Sequence, residues 1–251
     1  MTFRLARAPS AALATLITLG CTGGSETGNP VEPSQMGLSV HTSDPGTADF
    51  RTGTNGIFIE EAWLGVSDIS LVRLDTPDEE ESDVEIEGLV VVDLTDPSSS
   101  RLEFALDPAE YTGLRADLSQ AELPLPVGAP AELEDSSVVI TGLTPAGRRF
   151  TLVLQQEVEL EATSPMTSFL ISAPMSQFVL SFDVARWFGD LDLDELEVGP
   201  DDSIRIDALS NPEALEAFEA NMLRALELGA DRNGNGTLDT GEERLALGEV
   251  P

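Results

Sequence analysis

The chain has 251 residues, room for one large or two small domains, and its 41% apolar content must build a core from Leu, Val and Ile because aromatics supply only 5%. Its 46 carboxylates face 13 Arg and no Lys, for a formal charge of −33, which excludes nucleic acid and anionic lipid as docking partners. With one His, no HExxH pair can form, and no Ser stands in a G-x-S-x-G elbow, so the common hydrolase motifs are missing.

Residues 1–20 read as a signal peptide. Arg4 and Arg7 form a positive n-region, and Ala8 to Gly20 is a neutral apolar stretch too short to span a bilayer as a helix. Cys21 follows at once. A lone thiol in an exported protein otherwise has no partner. Gly20-Cys21 in this position resembles the lipobox of bacterial lipoproteins, with Thr18 where that pattern prefers a branched aliphatic residue. The resemblance implies that Cys21 is the lipid-attachment site and that the lipid is the chain's contact with the membrane. Thr22 rather than Asp after the Cys implies sorting to the outer membrane. Residues 21–36 are rich in Gly, Ser, Thr, Asn and Pro and read as a lipidated flexible tether with an r.m.s. reach of about 20 Å. Its "SETGNP" is similar to a segment of a group of Gram-negative lipoproteins of largely unknown function.

Residues 37–208 give one strand signal after another. The segment Ile59 to Leu74 combines Trp63, Leu64, Val66, Ile69 and Leu71 with Gly65 and β-branched residues, which predicts a long bent strand rather than a helix. Gly88 to Leu94 is a continuous apolar run, expected to be a central strand buried on both faces. Glu110 to Leu118 sets Leu114, Ala116 and Leu118 on one side. Thr151 to Glu161 alternates, with Leu152, Leu154, Val158 and Leu160 on one face and Val153, Gln155, Glu157, Glu159 and Glu161 on the other. Phe178, Leu180 and Phe182 repeat the pattern, as do Ile204 and Ile206. Turn signals at Asn55-Gly56, Asp96-Pro97, Asp107-Pro108, Pro124 to Pro130 and Thr144 to Gly147 separate the runs. Short strands with polar turns at this spacing predict a mainly β protein, an antiparallel β-sandwich.

The order "IEEAWLGVSDISLVRL", "LVVVDLTD", "LDPAEYTGLRADL" and "GRRFTLVL" resembles a family of bacterial lipoprotein domains of unknown function with a prealbumin-like sandwich. The likeness covers most of residues 36–185. Its motifs are packing motifs, so it implies a prealbumin/immunoglobulin-like fold and an envelope location, and no chemistry.

In residues 209–251 the period changes. Asn211 reads as an N-cap with Pro212 at the first helical position, and Leu215, Phe218, Met222 and Leu226 form one apolar stripe. Gly229 reads as the helix stop. Then comes "DRNGNGTLDTGEE". Asp231, Asn233, Asn235, Thr237, Asp239 and Glu242 occupy the first, third, fifth, seventh, ninth and twelfth places of a calcium loop, with Gly236 at the bend. Alternate residues turn their oxygens to one point, Thr237 offers its carbonyl, and Glu242 closes the shell. Leu238 is expected to turn into the core. Thr240 and Glu243 form a capping-box pattern for a short exit helix. The motif resembles the EF-hand and dockerin class of loops. It departs from them in its Gly229-Ala230 entry and in having no second copy. Carboxylates and neutral amides in this mix imply one weakly held, structural calcium ion, in the 10⁻⁴–10⁻³ M range of extracellular modules.

The acidic runs Asp75 to Glu87 and Asp190 to Asp202 read as solvated loops. Trp63, Trp187 and Tyr111 read as core residues, and Arg148-Arg149 as local ion-pair partners. The expected function is a non-catalytic, lipid-anchored envelope protein, a binding or structural module with a calcium site. Two alternatives stand beside it: a carbohydrate-active enzyme using paired carboxylates, and a calcium-dependent adhesion or assembly module. No sequence feature names a protein or glycan partner.

Overall fold

A computed structural model describes residues 34–42, 56–74, 84–86, 88–95, 101–106, 109–166, 168–171, 175–189, 191–232, 238 and 241–248. The described chain runs through β1 (Ser34–Thr42), β2 (Phe58–Arg73), β3 (Val84–Ile86), β4 (Val90–Asp93), β5 (Arg101–Leu106), β6 (Ala109–Leu118), β7 (Val138–Leu143) and β8 (Arg149–Leu154). It continues through β9 (Val158–Thr163), β10 (Phe169–Ile171), β11 (Met175–Phe182), the one-turn helix α1 (Val184–Trp187) and β12 (Ile204–Ile206). Helix α2 (Pro212–Arg224), β13 (Leu226–Ala230) and β14 (Arg244–Gly248) complete it.

The fold is a mainly β sandwich, and β2 is the strand that makes it one continuous sheet. Its first half pairs with β7 on one edge and β4 on the other; its second half pairs with β6 and β3. One layer therefore runs β12-β8-β7-β2-β4, and the other β3-β2-β6-β9-β14-β13-β11-β1-β5. The long bent strand expected over Ile59 to Leu74 is this element. Its bend lies at Gly65 to Asp68, where the β6 register shifts and Asp68 takes φ 48°. Gly65 is required there, because a Cβ would lie 2.4 Å from the carbonyl oxygen of Ser119.

The two layers close on a shared core that includes Leu64, Leu114, Leu152, Leu180 and Ile204. Alternation sends these side chains inward while Arg115, Glu159 and Arg205 stay out. Helix α2 seals one side with Phe218 and Met222, and Trp187 meets Phe218 edge-to-face at 5.5 Å between centroids. Trp63, Trp187 and Tyr111 are all buried, as their sequence contexts imply. Trp63 anchors a smaller cluster with Leu133, Val139 and Val153 on the outer face of the first layer. The loop from Ser119 to Ser137 covers it.

Several local expectations differ from the structure. The sheet is mixed rather than wholly antiparallel, because β1–β11 and β12–β8 are parallel pairs. The alternating run Thr151 to Glu161 is two strands in different layers, broken at Gln155 to Glu157. Alternation continues across the break, so the sequence shows no seam. The apolar run Gly88 to Leu94 holds β4, which among the described residues pairs only with β2 and is half-buried, not a central strand. A strand buried on both faces is β11, where Val179 and Ser181 are as inaccessible as Leu180 and Phe182.

The C-terminal segment departs most. Helix α2 stops at Arg224, and the expected helix–loop–short helix is a helix followed by a β-hairpin. Both Leu226, taken as the last residue of the helical stripe, and Arg244 to Leu247 of the expected exit helix are in strands. Strands β13 and β14 lie between β11 and β9 inside the second layer, so residues 209–251 are not a module appended to a sandwich ending at 208. Local pattern favoured helix; the open places in the sheet beside β9 and β11 won. Asn211 precedes α2 in a left-handed conformation (φ 56°) and makes no side-chain cap. Its amide instead accepts from Glu197 N–H at 2.9 Å and donates to the carbonyls of Glu197 and Arg205. At the other end, β1 begins at Ser34, inside the stretch read as tether.

Candidate functional site

The loop singled out in the sequence leaves the sheet at Ala230 and returns at Arg244. Asn233, Asn235, Thr237 and Asp239 lie outside the described residues, as does the lipid-attachment candidate Cys21. Asp231, Leu238 and Glu242 are described, and they define how the loop is seated.

Asp231 is buried, with only 6% of its surface exposed. Its N–H donates to the carbonyl of Gln177 at 2.9 Å, so the first place of the loop is tied to β11. Glu242, the twelfth, reaches back across the loop mouth. Its Oε1 accepts the N–H of Arg232 at 2.9 Å, which places the last candidate carboxylate on the backbone next to Asp231. The N–H of Ala230 donates to the carbonyl of Glu243 at 3.0 Å and closes the hairpin beneath them.

Leu238 is buried and lies against Gly229, where a Cβ would come within 2.1 Å of its Cδ1. Gly229 is therefore not a helix stop. It sits in β13 opposite Val179 and its bare backbone is the socket for Leu238. The sequence pointed to both residues, but assigned the glycine to the wrong task because it extended the helix too far.

Beside the loop root is a cleft of about 530 Å³. Its floor is Phe169 and Phe178, its apolar rim includes Met166 and Leu170, and Asp231, Arg232, Glu243 and Arg244 form its polar wall. Arg232 pairs with Glu243 at 2.8 Å and Arg244 with Glu227 at 2.8 Å. Sequence reading missed this cleft. The one available signal was Pro165 after an alternating strand, since proline cannot donate to a ladder.

The other candidate carboxylates are dispersed. Among the described residues no three His, Cys, Asp or Glu side chains converge as a metal group. Of the two acidic runs, Asp75 to Asp83 lies outside the described residues. In the other, Asp194 accepts the Thr144 hydroxyl at 2.5 Å and Ala146 N–H at 3.1 Å, so part of that run is a structural clamp rather than wholly solvated loop. Arg148 pairs with Asp202 at 3.5 Å. On the outer face of β6 and β9, Asp117 stands opposite Glu159. Burial, Asp68, Glu159 and Glu157 together hold its carboxyl above the usual carboxylate range. Among the described residues no helix is long and apolar enough to cross a membrane.

No family model matches the chain, and no curated protein matches it. Among solved structures, MbnP from Methylosinus trichosporium overlaps with a TM-score of 0.42 at 12% identity, covering 86% of this chain and 98% of that one. An NMR structure of a protein from Eubacterium rectale overlaps with a TM-score of 0.20 at 9% identity, covering 72% and 91%. Likeness at this level assigns no function.

Proposed function

We propose that the protein is a non-catalytic envelope lipoprotein, anchored through Cys21 in the outer membrane, whose sandwich carries one structural calcium ion and serves as a binding or structural module. The observation that carries the calcium part is the seating of the loop. A calcium loop needs its first and twelfth residues brought together and its eighth turned inward. The Glu242 carboxylate accepts the N–H of Arg232, the residue next to Asp231, and Leu238 is buried against Gly229.

Asp231, Asn233, Asn235, Asp239 and Glu242 would supply side-chain oxygens and Thr237 its carbonyl. The ion would cross-link β13 to β14, two strands in the middle of the second layer. At tenfold saturation it would add about 1.4 kcal/mol of stability. The anchoring part rests on the sequence around Cys21 alone.

The two parts are tested separately. Mass spectrometry of the protein from a bacterial envelope should find an acylated N-terminal Cys21, and Cys21→Ser should release the protein from membranes. Thermal melts of the unacylated protein should rise by a few degrees in 10 mM calcium over chelator. Asp231→Ala should abolish that rise. An unchanged melting temperature in the parent protein would end the calcium reading while leaving the anchor untouched.

A further inference from the structure

The cleft at the loop root has a covalent origin. Strand β14 pairs with β9 at only two places, Leu247 with Thr163 and Gly248 with Ala162. Continued, that register would set Ala246 opposite Ser164 and Leu245 opposite Pro165. The N–H of Ser164 donates to the carbonyl of Thr112 in β6 at 2.8 Å, so by alternation the next residue to face β14 is Pro165, which has no N–H and ends the ladder. The chain swings away through Met166 and returns as β10, which pairs with β6 alone. Arg244 and Leu245 are left with no strand partner on that side among the described residues, and the gap beside them is the cleft, while Ala246 is already buried.

An open strand edge over an apolar floor is the arrangement that captures extended peptides. The backbone supplies affinity, and alternate side chains enter pockets. The charge of the wall narrows the ligand. In a chain of formal charge −33, this wall balances Arg232 and Arg244 against Asp231 and Glu243, and both arginines are already ion-paired. A balanced wall matches a neutral peptide better than a charged one.

From this we infer that the cleft binds a neutral, extended peptide segment of a partner protein, which takes the place β9 vacates beside Arg244 and Leu245. One large apolar side chain of the peptide rests on Phe169 and Phe178, under Met166 and Leu170. Two strand residues span ~7 Å, which a cleft of about 530 Å³ accommodates. Because both ends of the candidate calcium loop form the polar wall, calcium should hold the edge ready and tighten the peptide. That coupling rests on the calcium reading above; the peptide site itself does not.

The test uses the mature protein in lipid nanodiscs, with empty nanodiscs as the blank. The probe is a fluorescent heptapeptide of alternating serine and valine with phenylalanine at its centre. Saturable binding is expected, unchanged by raised salt. It should weaken at least tenfold when alternate backbone nitrogens of the peptide are methylated, and tenfold or more in Met166→Asp. Met166 is exposed, so this variant should keep the parent urea-unfolding curve. Chelator should weaken binding about fivefold or more. No saturable binding up to about 1 mM, equal binding of the methylated peptide, or binding of palmitate instead would each overturn the peptide site. Equal binding with and without chelator, together with a calcium-insensitive melting temperature, would support the peptide site and count against the calcium reading.

Discussion

Two breaks in the sheet are treated oppositely. At Gly65 to Asp68 the strand β2 leaves β7 for β6, and the seam is filled. Ser119 N–H donates to the Gly65 carbonyl at 3.1 Å, Gly65 N–H donates to Ser137 at 2.9 Å, and the hydroxyls of Ser67 and Ser119 lie 2.7 Å apart. At Ser164 to Pro165 the strand β9 leaves β14, and the seam stays open, rimmed by exposed Met166 and Leu170. Both breaks remove backbone pairing. The first recovers it with glycine and serine at close range; the second places a proline where recovery would need an N–H. A sealed break is a device of the fold, whereas an open one beside a candidate ion loop is a surface available for binding.

The sharpest way to break this contrast is Gly65→Val. A side chain there drives into the Ser119 carbonyl, and a backbone atom cannot step aside as a flexible side chain does. The expected loss is about 3 kcal/mol in urea unfolding, with calcium and peptide binding unchanged in the folded fraction. A loss under about 1 kcal/mol would mean that the seam is not closed.

Gly229→Ala addresses the other region. Its Cβ meets Leu238, whose side chain can partly yield, so about 2 kcal/mol is expected. Here the calcium affinity should fall with the stability, because Leu238 is the loop's inner anchor. A variant that loses stability but binds calcium as before would separate the loop from its socket.

Two carboxylates sharpen the picture through pH. Burial opposes the charge on Asp207, but the N–H groups of Leu209 and Ser210 and the Arg205 guanidinium prevail and hold its pKa below 3.8. Its contribution is present at neutral pH and drains as pH falls below 3.8 toward the folded value. Asp207→Asn should cost about 1 kcal/mol at pH 7, and the difference from the parent should vanish in acid. Asp117 has the opposite sign. Its folded pKa is raised above 3.8, so its charge costs stability at neutral pH, and that cost is relieved as pH falls through the folded value. Asp117→Asn should stabilise by about 0.5 kcal/mol at pH 7, the scale of one cross-strand like-charge contact. The gain should fade on acidification. A destabilised Asp117→Asn would point to a favourable partner for that carboxylate.

Where sequence and structure agree, a short-range pattern decided the outcome. The faces of β6 and β12, the bent β2 and the inward turn of Leu238 all follow from alternation or from a fixed place in a loop. Long-range pairing decided the rest. Nothing local separates Leu154 from Val158 into different layers, or tells Val90–Asp93 that only β2 will flank it. Leu226 extended a convincing helical stripe, yet β11 offered its segment a strand partner, with Phe182 opposite Leu226. The burial of Leu238 was legible because its place in the loop pattern is local. The cleft was not, because Pro165 and Leu245 stand eighty positions apart in the chain.

The loop's claim on an ion is tested most directly by calorimetric titration of calcium into the unacylated protein, with Glu242→Gln in parallel. The account predicts one site with a dissociation constant of about 10⁻⁴–10⁻³ M. In Glu242→Gln that affinity should weaken at least tenfold. No heat of binding at 10 mM calcium, or equal affinity in the variant, would contradict it.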